Sequence, residues 1–465
     1  MTPRLHLPVS LVLLALPAHA QEPLLPEEVI ESVQRAFPLV EAARRDLAAA
    51  EGTLLSARGA FDPVLRARGT LQPLGYYRNG RLDALVEQAT PLWGLSLFAG
   101  YRLALGSYPS YDGKLLTNDE GEVRGGLVLP LLRNGPIDRR RAGIRQAEQG
   151  QQAADMGLAQ ARLEAMRAAL LRYWEWVAAG QRYTIARDLL EVAMARDAQV
   201  TGRVVRGDLP PIERTENQRA VVQREGAVVA ARRQVEQAAI ELALYLRGPD
   251  GEPVVPPPER LPGTLPEPAG LPSTEVAREA AAAPRRRPEV LRLEALRRQA
   301  EIEARWAKNQ LWPGLDLVAT VSQDFGAGSP TRAPTELELG VVLDLPVPNR
   351  TAIGRARAAE ATVGRIGAQA QFARDRVTAE VRDALSALEA ARQRLALTRQ
   401  ELRIARELEE AERARFELGD STLLFVNLRE QTRYETALRE VDALLDYQRA
   451  MVSYRAATAT LPGMR

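Results

Sequence analysis

The chain has 465 residues, with 62 Lys and Arg against 60 Asp and Glu, a formal net charge of +2, no Cys and two His. Charges so nearly balanced, and interspersed rather than gathered in blocks, leave no electrostatic footprint for nucleic acid. Both His6 and His19 fall in a segment marked for removal, so the mature chain is expected to hold no His-based triad, Cys nucleophile, Cys/His zinc site or disulfide, and no catalytic, cofactor or metal residues are assigned.

Residues 1–20, MTPRLHLPVSLVLLALPAHA, combine Arg4, an apolar run from Leu7 to Ala18 and an Ala-His-Ala ending, which reads as a signal peptide cleaved before Gln21. No other apolar run approaches the roughly 20 residues of a spanning helix, so membrane insertion is expected through strands closed into a barrel. With no N-terminal Cys to acylate, no lipid anchor is expected.

A first repeat is expected over 21–247, opening with a helix over 28–58. A strand region follows over 61–133. In it Leu95, Leu97, Ala99, Tyr101, Leu103 and Leu105 alternate with the residues between them, and a further strand begins at Val123. Segments Val64 to Gln72 and Ala84 to Thr90 alternate less clearly, so this half has two strands or four. Long helices are expected over 137–202 and 211–247. The first lacks Pro and spans roughly 100 Å at 1.5 Å per residue. The basic runs at Arg139 and Pro284 read as solvated faces or helix starts.

Nine prolines between Pro249 and Pro272 make 248–273 an extended linker. The second repeat, 274–465, holds a helix over 288–311, a strand pair over 314–346, and long helices over 351–418 and 421–461. In the pair, Leu315, Leu317, Ala319 and Val321, then Leu337, Leu339, Val341, Leu343 and Leu345, form apolar faces. Along the helix over 351–418 Val381, Ala384, Leu388, Ala391, Leu395, Thr398, Leu402 and Ala405 follow the three-four spacing of a coiled-coil seam.

The two halves match at a fixed offset. Gly207-Asp208 in RVVRGDLP and Gly419-Asp420 in RFELGDST are separated by 419 − 207 = 212 residues, and Ala147-Glu148 and Ala359-Glu360 by 359 − 147 = 212. The chain is therefore a tandem duplication. Gly suits a left-handed helix end, and Asp, or Ser421 after it, is expected to cap the next helix. The fold class expected is mostly α with a β part: long antiparallel helical hairpins plus strand pairs contributing to a transmembrane barrel.

This order resembles the TolC family of outer-membrane efflux proteins. The residues that carry the resemblance are RFELGDSTLLFVNLREQTRYETAL from Arg415, similar to the family's stretch after the second turn, and PLLRNGPIDRRRAGIRQAE from Pro130, similar to its strand-to-helix junction. The resemblance implies a passive exit duct and no enzyme: a homotrimer in the outer membrane of a Gram-negative cell, with a large periplasmic portion. It also implies docking on a periplasmic adaptor and an inner-membrane transporter. Gly207, Asp208, Gly419, Asp420 and Ser421 would then be adaptor-facing turns, and Leu97, Leu103, Leu317, Leu339 and Val341 would face lipid. Family members can carry aspartates just after the second turn, where this chain has Phe425 and Leu428. At the same repeat positions the first half has Glu213 and Glu216, since 425 − 213 = 428 − 216 = 212. These four are candidate gate or selectivity residues, the acids in the lumen and the apolar pair as packing. The alternative is an exported periplasmic coiled-coil scaffold or adaptor with a soluble sheet, without nucleic acid in either case.

Overall fold

The computed structural model describes residues 22–268, 270 and 272–463; the expected signal peptide lies outside them. Two short helices open the chain, α1 (Pro26–Ala36) and α2 (Pro38–Arg58). One helix was expected here, and Pro38 divides it: Phe37 before it is extended, with φ −72° and ψ 126°, because the proline ring disfavours the helical region for its predecessor. Four strands follow, β1 (Val64–Gln72), β2 (Asn79–Ala89), β3 (Ser96–Gly106) and β4 (Glu122–Pro130). Then come α3 (Arg139–Val205) and α4 (Pro211–Ala243).

The second half repeats the plan with α5 (Ser273–Arg286), α6 (Pro288–Asn309), β5 (Gly314–Asp324), β6 (Glu336–Asp344), α7 (Arg350–Glu417) and α8 (Leu423–Ala457). Helix α5 begins at the end of the segment expected to be linker, and Pro288 separates it from α6 as Pro38 separates α1 from α2. Corresponding helices have nearly equal lengths: 21 and 22 residues for α2 and α6, 67 and 68 for α3 and α7, 33 and 35 for α4 and α8. The breaks at Pro38 and Pro288 are 250 residues apart, against 212 between the Gly-Asp turns. The first half thus carries 250 − 212 = 38 extra residues, one extra hairpin.

All six strands join in one antiparallel sheet, ordered β1-β2-β3-β4-β5-β6. The four chain crossings between sheet and helices, α2 to β1, β4 to α3, α6 to β5 and β6 to α7, all lie at one end of the sheet. Asn134 (φ 69°) and Asn349 (φ 56°) turn the chain from strand to helix in the two halves. At the first junction Asp138 caps α3, accepting from the Arg141 backbone N–H at 2.8 Å, while the Arg141 guanidinium donates to the carbonyls of Asn134 and Gly135 at 2.8 and 2.7 Å. The basic run at Arg139 is a helix start.

From that end α3 and α7 extend, each roughly 100 Å at 1.5 Å per residue. Helices α2 and α6 pack on the half of α3 nearer the sheet, α4 and α8 on the far half. The main core, where α1 and the proline-rich segment meet α3, holds Tyr173, Trp176, Val177, Leu242 and Leu265. The proline-rich segment is a strap as well as a connection. The Leu24 backbone N–H donates to the Arg260 carbonyl at 2.8 Å, Arg260 pairs with Glu28, and Glu267 pairs with Arg399. Leu261 lies so close to Gly180 on α3 that a Cβ there would meet it at 2.4 Å. On α7 the three-four seam from Val381 to Ala405 is buried apart from Leu388, which is partly buried against the second core.

Candidate functional site: an apolar sheet face and a helical tip

Strand register decides which residues share a face. The paired positions Leu65–Val86, Val86–Ala99, Ala99–Gly125, Gly125–Val321 and Val321–Leu337 run across the whole sheet. Since side chains alternate along a strand, one face collects Leu65, Leu71, Leu82, Val86, Leu97, Leu103, Leu105, Val123, Leu127, Leu129, Leu315, Leu317, Val321 and Leu337, Leu339, Val341 and Leu343, with Ala, Gly, Tyr101 and two glutamines completing it. The five residues expected to face lipid, Leu97, Leu103, Leu317, Leu339 and Val341, all lie on it. It is uncovered: the four residues that β6 contributes to it, Leu337, Leu339, Val341 and Leu343, are 65–67 % exposed.

The opposite face carries Arg66, Arg68, Arg81, Asp83, Glu87, Arg102, Glu122, Arg124, Asp316, Asp324, Glu336, Glu338 and Asp344. Ion pairs join Arg66 to Glu87, Arg81 and Arg124 to Asp83, and Arg102 to Glu122. One apolar face and one charged face on strands of 9–11 residues match a transmembrane barrel strand, which needs about that length. Exposed aromatics mark both rims. Trp93 and Trp312 sit at the helix end of the sheet, and Tyr76 and Tyr111 in the loops at the other, where amphipathic rings favour a membrane interface.

Among the described residues no helix is long and apolar enough to cross a membrane, and no group of three or more acidic residues is arranged to hold a metal ion.

At the far end, α3–α4 and α7–α8 are joined by two turns of the same geometry. Gly207 and Gly419 have φ of 80° and 83°. In the first turn Asp208 N–H donates to the Arg203 carbonyl at 2.8 Å and Gly207 N–H to Val204 at 3.1 Å. In the second Asp420 donates to Arg415 at 2.9 Å and Gly419 to Phe416 at 3.2 Å. This crossed pair is the Schellman ending, which places its left-handed residue where only Gly is unstrained. The capping expectation is corrected. Helix α4 starts after Pro210 and α8 after Thr422, neither with a side-chain cap. Asp208 instead pairs with Arg206, and the Ser421 hydroxyl donates to Glu412. Each is drawn back to the preceding helix, whose long side chains lie within reach.

The four candidate gate residues follow the turns. Glu216 is bound by Arg219 of its own helix, whose hydrogen bonds hold its carboxyl below the usual range. Glu213 is half-buried in the first turn of α4. Phe425 and Leu428 are 54 and 56 % exposed, while their neighbours Leu423 and Val426 are buried against Val200. The apolar pair therefore does not pack within its own chain.

A charge cluster that periodicity did not single out lies above these turns. Glu430 on α8 is fully buried. It accepts from Arg224 of α4 at 2.8 Å, from Arg413 of α7 at 3.2 Å, and from Arg196 of α3. Burial would raise this carboxyl, but the Arg196 charge and the Arg224 hydrogen bond outweigh burial and hold it below its ordinary value. Arg413 and Arg433 also pair with Glu409. One carboxylate thus ties all four helices roughly 10–15 Å above the turns, at 1.5 Å per residue. A charged residue at a core position of α8 is the sequence signal, but its three partners come from three other helices.

Sheet and helices together have the fold of TolC-like outer-membrane channels. The structure is similar to that of the outer membrane protein VceC from Vibrio cholerae, with 16 % identity, 93 % of this chain and 95 % of that one covered, and a TM-score of 0.65. It is also similar to a membrane protein from Pseudomonas aeruginosa (19 %, 93 % and 92 %, TM-score 0.65) and to the open state of the outer membrane channel MtrE from Neisseria gonorrhoeae (17 %, 93 % and 88 %, TM-score 0.62). Residues 281–460, nearly all of the second repeat, match the outer membrane efflux protein family, so the resemblance drawn from the sequence is borne out. No curated protein matches the chain in sequence.

Proposed function

We propose that the protein is a passive exit duct of the outer membrane, built from three copies, with no catalytic step. The observation that carries this reading is the apolar face continuous over six strands, all of whose connections to the helices leave at one end. A lone sheet would expose two edges and this face to water, whereas closure with further copies removes both edges. The helices, roughly 100 Å long, then extend into the periplasm as a tunnel wall. The Gly-Asp turns are its far tip, where a periplasmic adaptor docks and connects the duct to an inner-membrane transporter. The exposed Phe425 and Leu428 and the acids Glu213 and Glu216 flank the lumen at that tip.

Sucrose-gradient fractionation tests the location. The protein should be recovered with outer membranes, released only by detergent, and run as a heat-modifiable trimer; a soluble monomer would contradict it. Bulky or charged replacements at Asp208, Asp420 or Ser421 should abolish export while leaving trimer abundance unchanged, and loss of the trimer itself would make these turns purely structural.

A further inference from the structure

The charged face of the sheet is unevenly charged. Its five arginines, Arg66, Arg68, Arg81, Arg102 and Arg124, lie on β1 to β4, whereas β5 and β6 contribute only acids: Asp316, Asp324, Glu336, Glu338 and Asp344. The two edge strands are therefore oppositely charged on the same face. Both are nine residues long, and β1 is exposed along its whole length, β6 along all but Gly340. Arg68, Glu336 and Glu338 have no ion-pair partner among the described residues, unlike Arg81, Arg102 and Arg124.

We propose that β1 of one copy pairs antiparallel with β6 of the next, so that three copies close one barrel of 3 × 6 = 18 strands, sealed on its inner face by Arg68 against Glu338. This rests on the three-copy reading above and specifies its seam. Parity permits it: with six strands per chain, β1 and the neighbouring β6 run in opposite directions. With the two edges flush, Leu65 meets Leu343, Ala67 meets Val341, Gly69 meets Leu339 and Leu71 meets Leu337, completing the apolar band. On the inner face Arg68 lies opposite Gly340, where a Cβ would find nothing within 4 Å. Its side chain has room to reach the diagonal Glu338, which is within range of a long side chain, while Arg66 and Asp344 keep their partners Glu87 and Arg133.

The stagger of the sheet agrees. Stepping straight across from Val64 leads through Glu87, Phe98, Gly126 and Thr320 to Glu338, 344 − 338 = 6 residues short of the end of β6. Flush edges therefore shift the register by six residues per chain and eighteen around the ring. With about 3.4 Å per residue and 4.8 Å between strands, that shear gives a tilt of about 35°, inside the usual range for barrels. The same spacings give a backbone diameter of about 34 Å.

Because the chain has no Cys, cross-linking is clean. The double variant Ala67→Cys with Val341→Cys, oxidised in outer membranes or treated with a short bis-thiol reagent, should convert most of the protein into covalent dimers and trimers, with neither single variant doing so. In addition, Arg68→Glu or Glu338→Arg alone should lower the temperature at which the trimer dissociates, and the two together should restore it. A trimer that gives no 67–341 product, or that cross-links in Ala99→Cys with Val341→Cys through a twelve-strand closure at β3, would overturn the seam while leaving the duct intact. Detergent-extracted monomer would overturn both.

Discussion

Leu339 and Gly340 are adjacent at the middle of β6 and point to opposite faces, which makes them a matched pair for testing the membrane orientation of the sheet. Leu339 is 67 % exposed on the apolar face. An arginine there would sit near the bilayer midplane at a cost of about 2–4 kcal/mol per chain, or about 30- to 1000-fold in the folding equilibrium at 1.36 kcal/mol per decade. Three copies in one assembly would multiply the cost. Gly340 lies on the face with Glu338 and Asp344, with open surroundings in its own chain; in the closed ring an arginine there would face Arg68 of the next copy, a like-charge pair that costs about 0.2–1 kcal/mol, less than the lipid-facing change. Leu339→Arg should therefore sharply reduce heat-modifiable trimer in outer membranes, with Leu317→Arg and Val341→Arg behaving alike, while Gly340→Arg and Thr320→Arg should be milder. Equal tolerance on the two faces would refute the assignment of the apolar face to lipid.

At the tip, Gly207→Ala and Gly419→Ala each force an L side chain into φ near +80° and should cost about 1–2 kcal/mol apiece, measured by denaturant titration in detergent. The nearly identical turn geometries predict nearly identical losses. Glu430→Gln removes the charge that neutralises Arg196 and Arg224 and should destabilise by about 3 kcal/mol. Since the Glu430 carboxyl is held below its ordinary value, its contribution is fully present above about pH 4.3 and is lost as pH falls through its lower folded value. The stability gap between wild type and variant should therefore close on acidification, and a gap that widens would contradict it. Gly180→Ala should cost about 1–3 kcal/mol by overpacking against Leu261, read as increased proteolysis of the proline-rich strap. Replacing Glu213 and Glu216 with Gln should reduce cation preference in single-channel recordings, because carboxylates at a lumen attract cations; unchanged selectivity would place them outside it.

Much of this architecture was legible because it is periodic and duplicated. The offset of 212 residues found both turns, and the three-four seam of α7 found a buried face. The hairpin β1–β2 was harder to read because its apolar face is interrupted by Ala67, Gly69, Gly80 and Ala84. Only its register with β3, Leu82 against Leu103 and Val86 against Ala99, shows that these small residues continue the leucine face. The break at Pro38 was local and readable in principle, but the helical pattern on both sides masked it. The Glu430 cluster was not legible, since Arg196, Arg224 and Arg413 lie 234, 206 and 17 residues away and only packing brings them together. Nor could helix patterning decide whether Phe425 and Leu428 pack inward. Their neighbours Leu423 and Val426 fill the buried side of α8, leaving the apolar pair for solvent or another copy.

If copies of this chain assemble around a membrane-spanning sheet, the native mass of protein extracted from outer membranes in mild detergent reports it. A single species of three chain masses is expected, stable without cross-linking and collapsing to one chain mass on heating. A species of one chain mass that stays soluble when detergent is removed would contradict it.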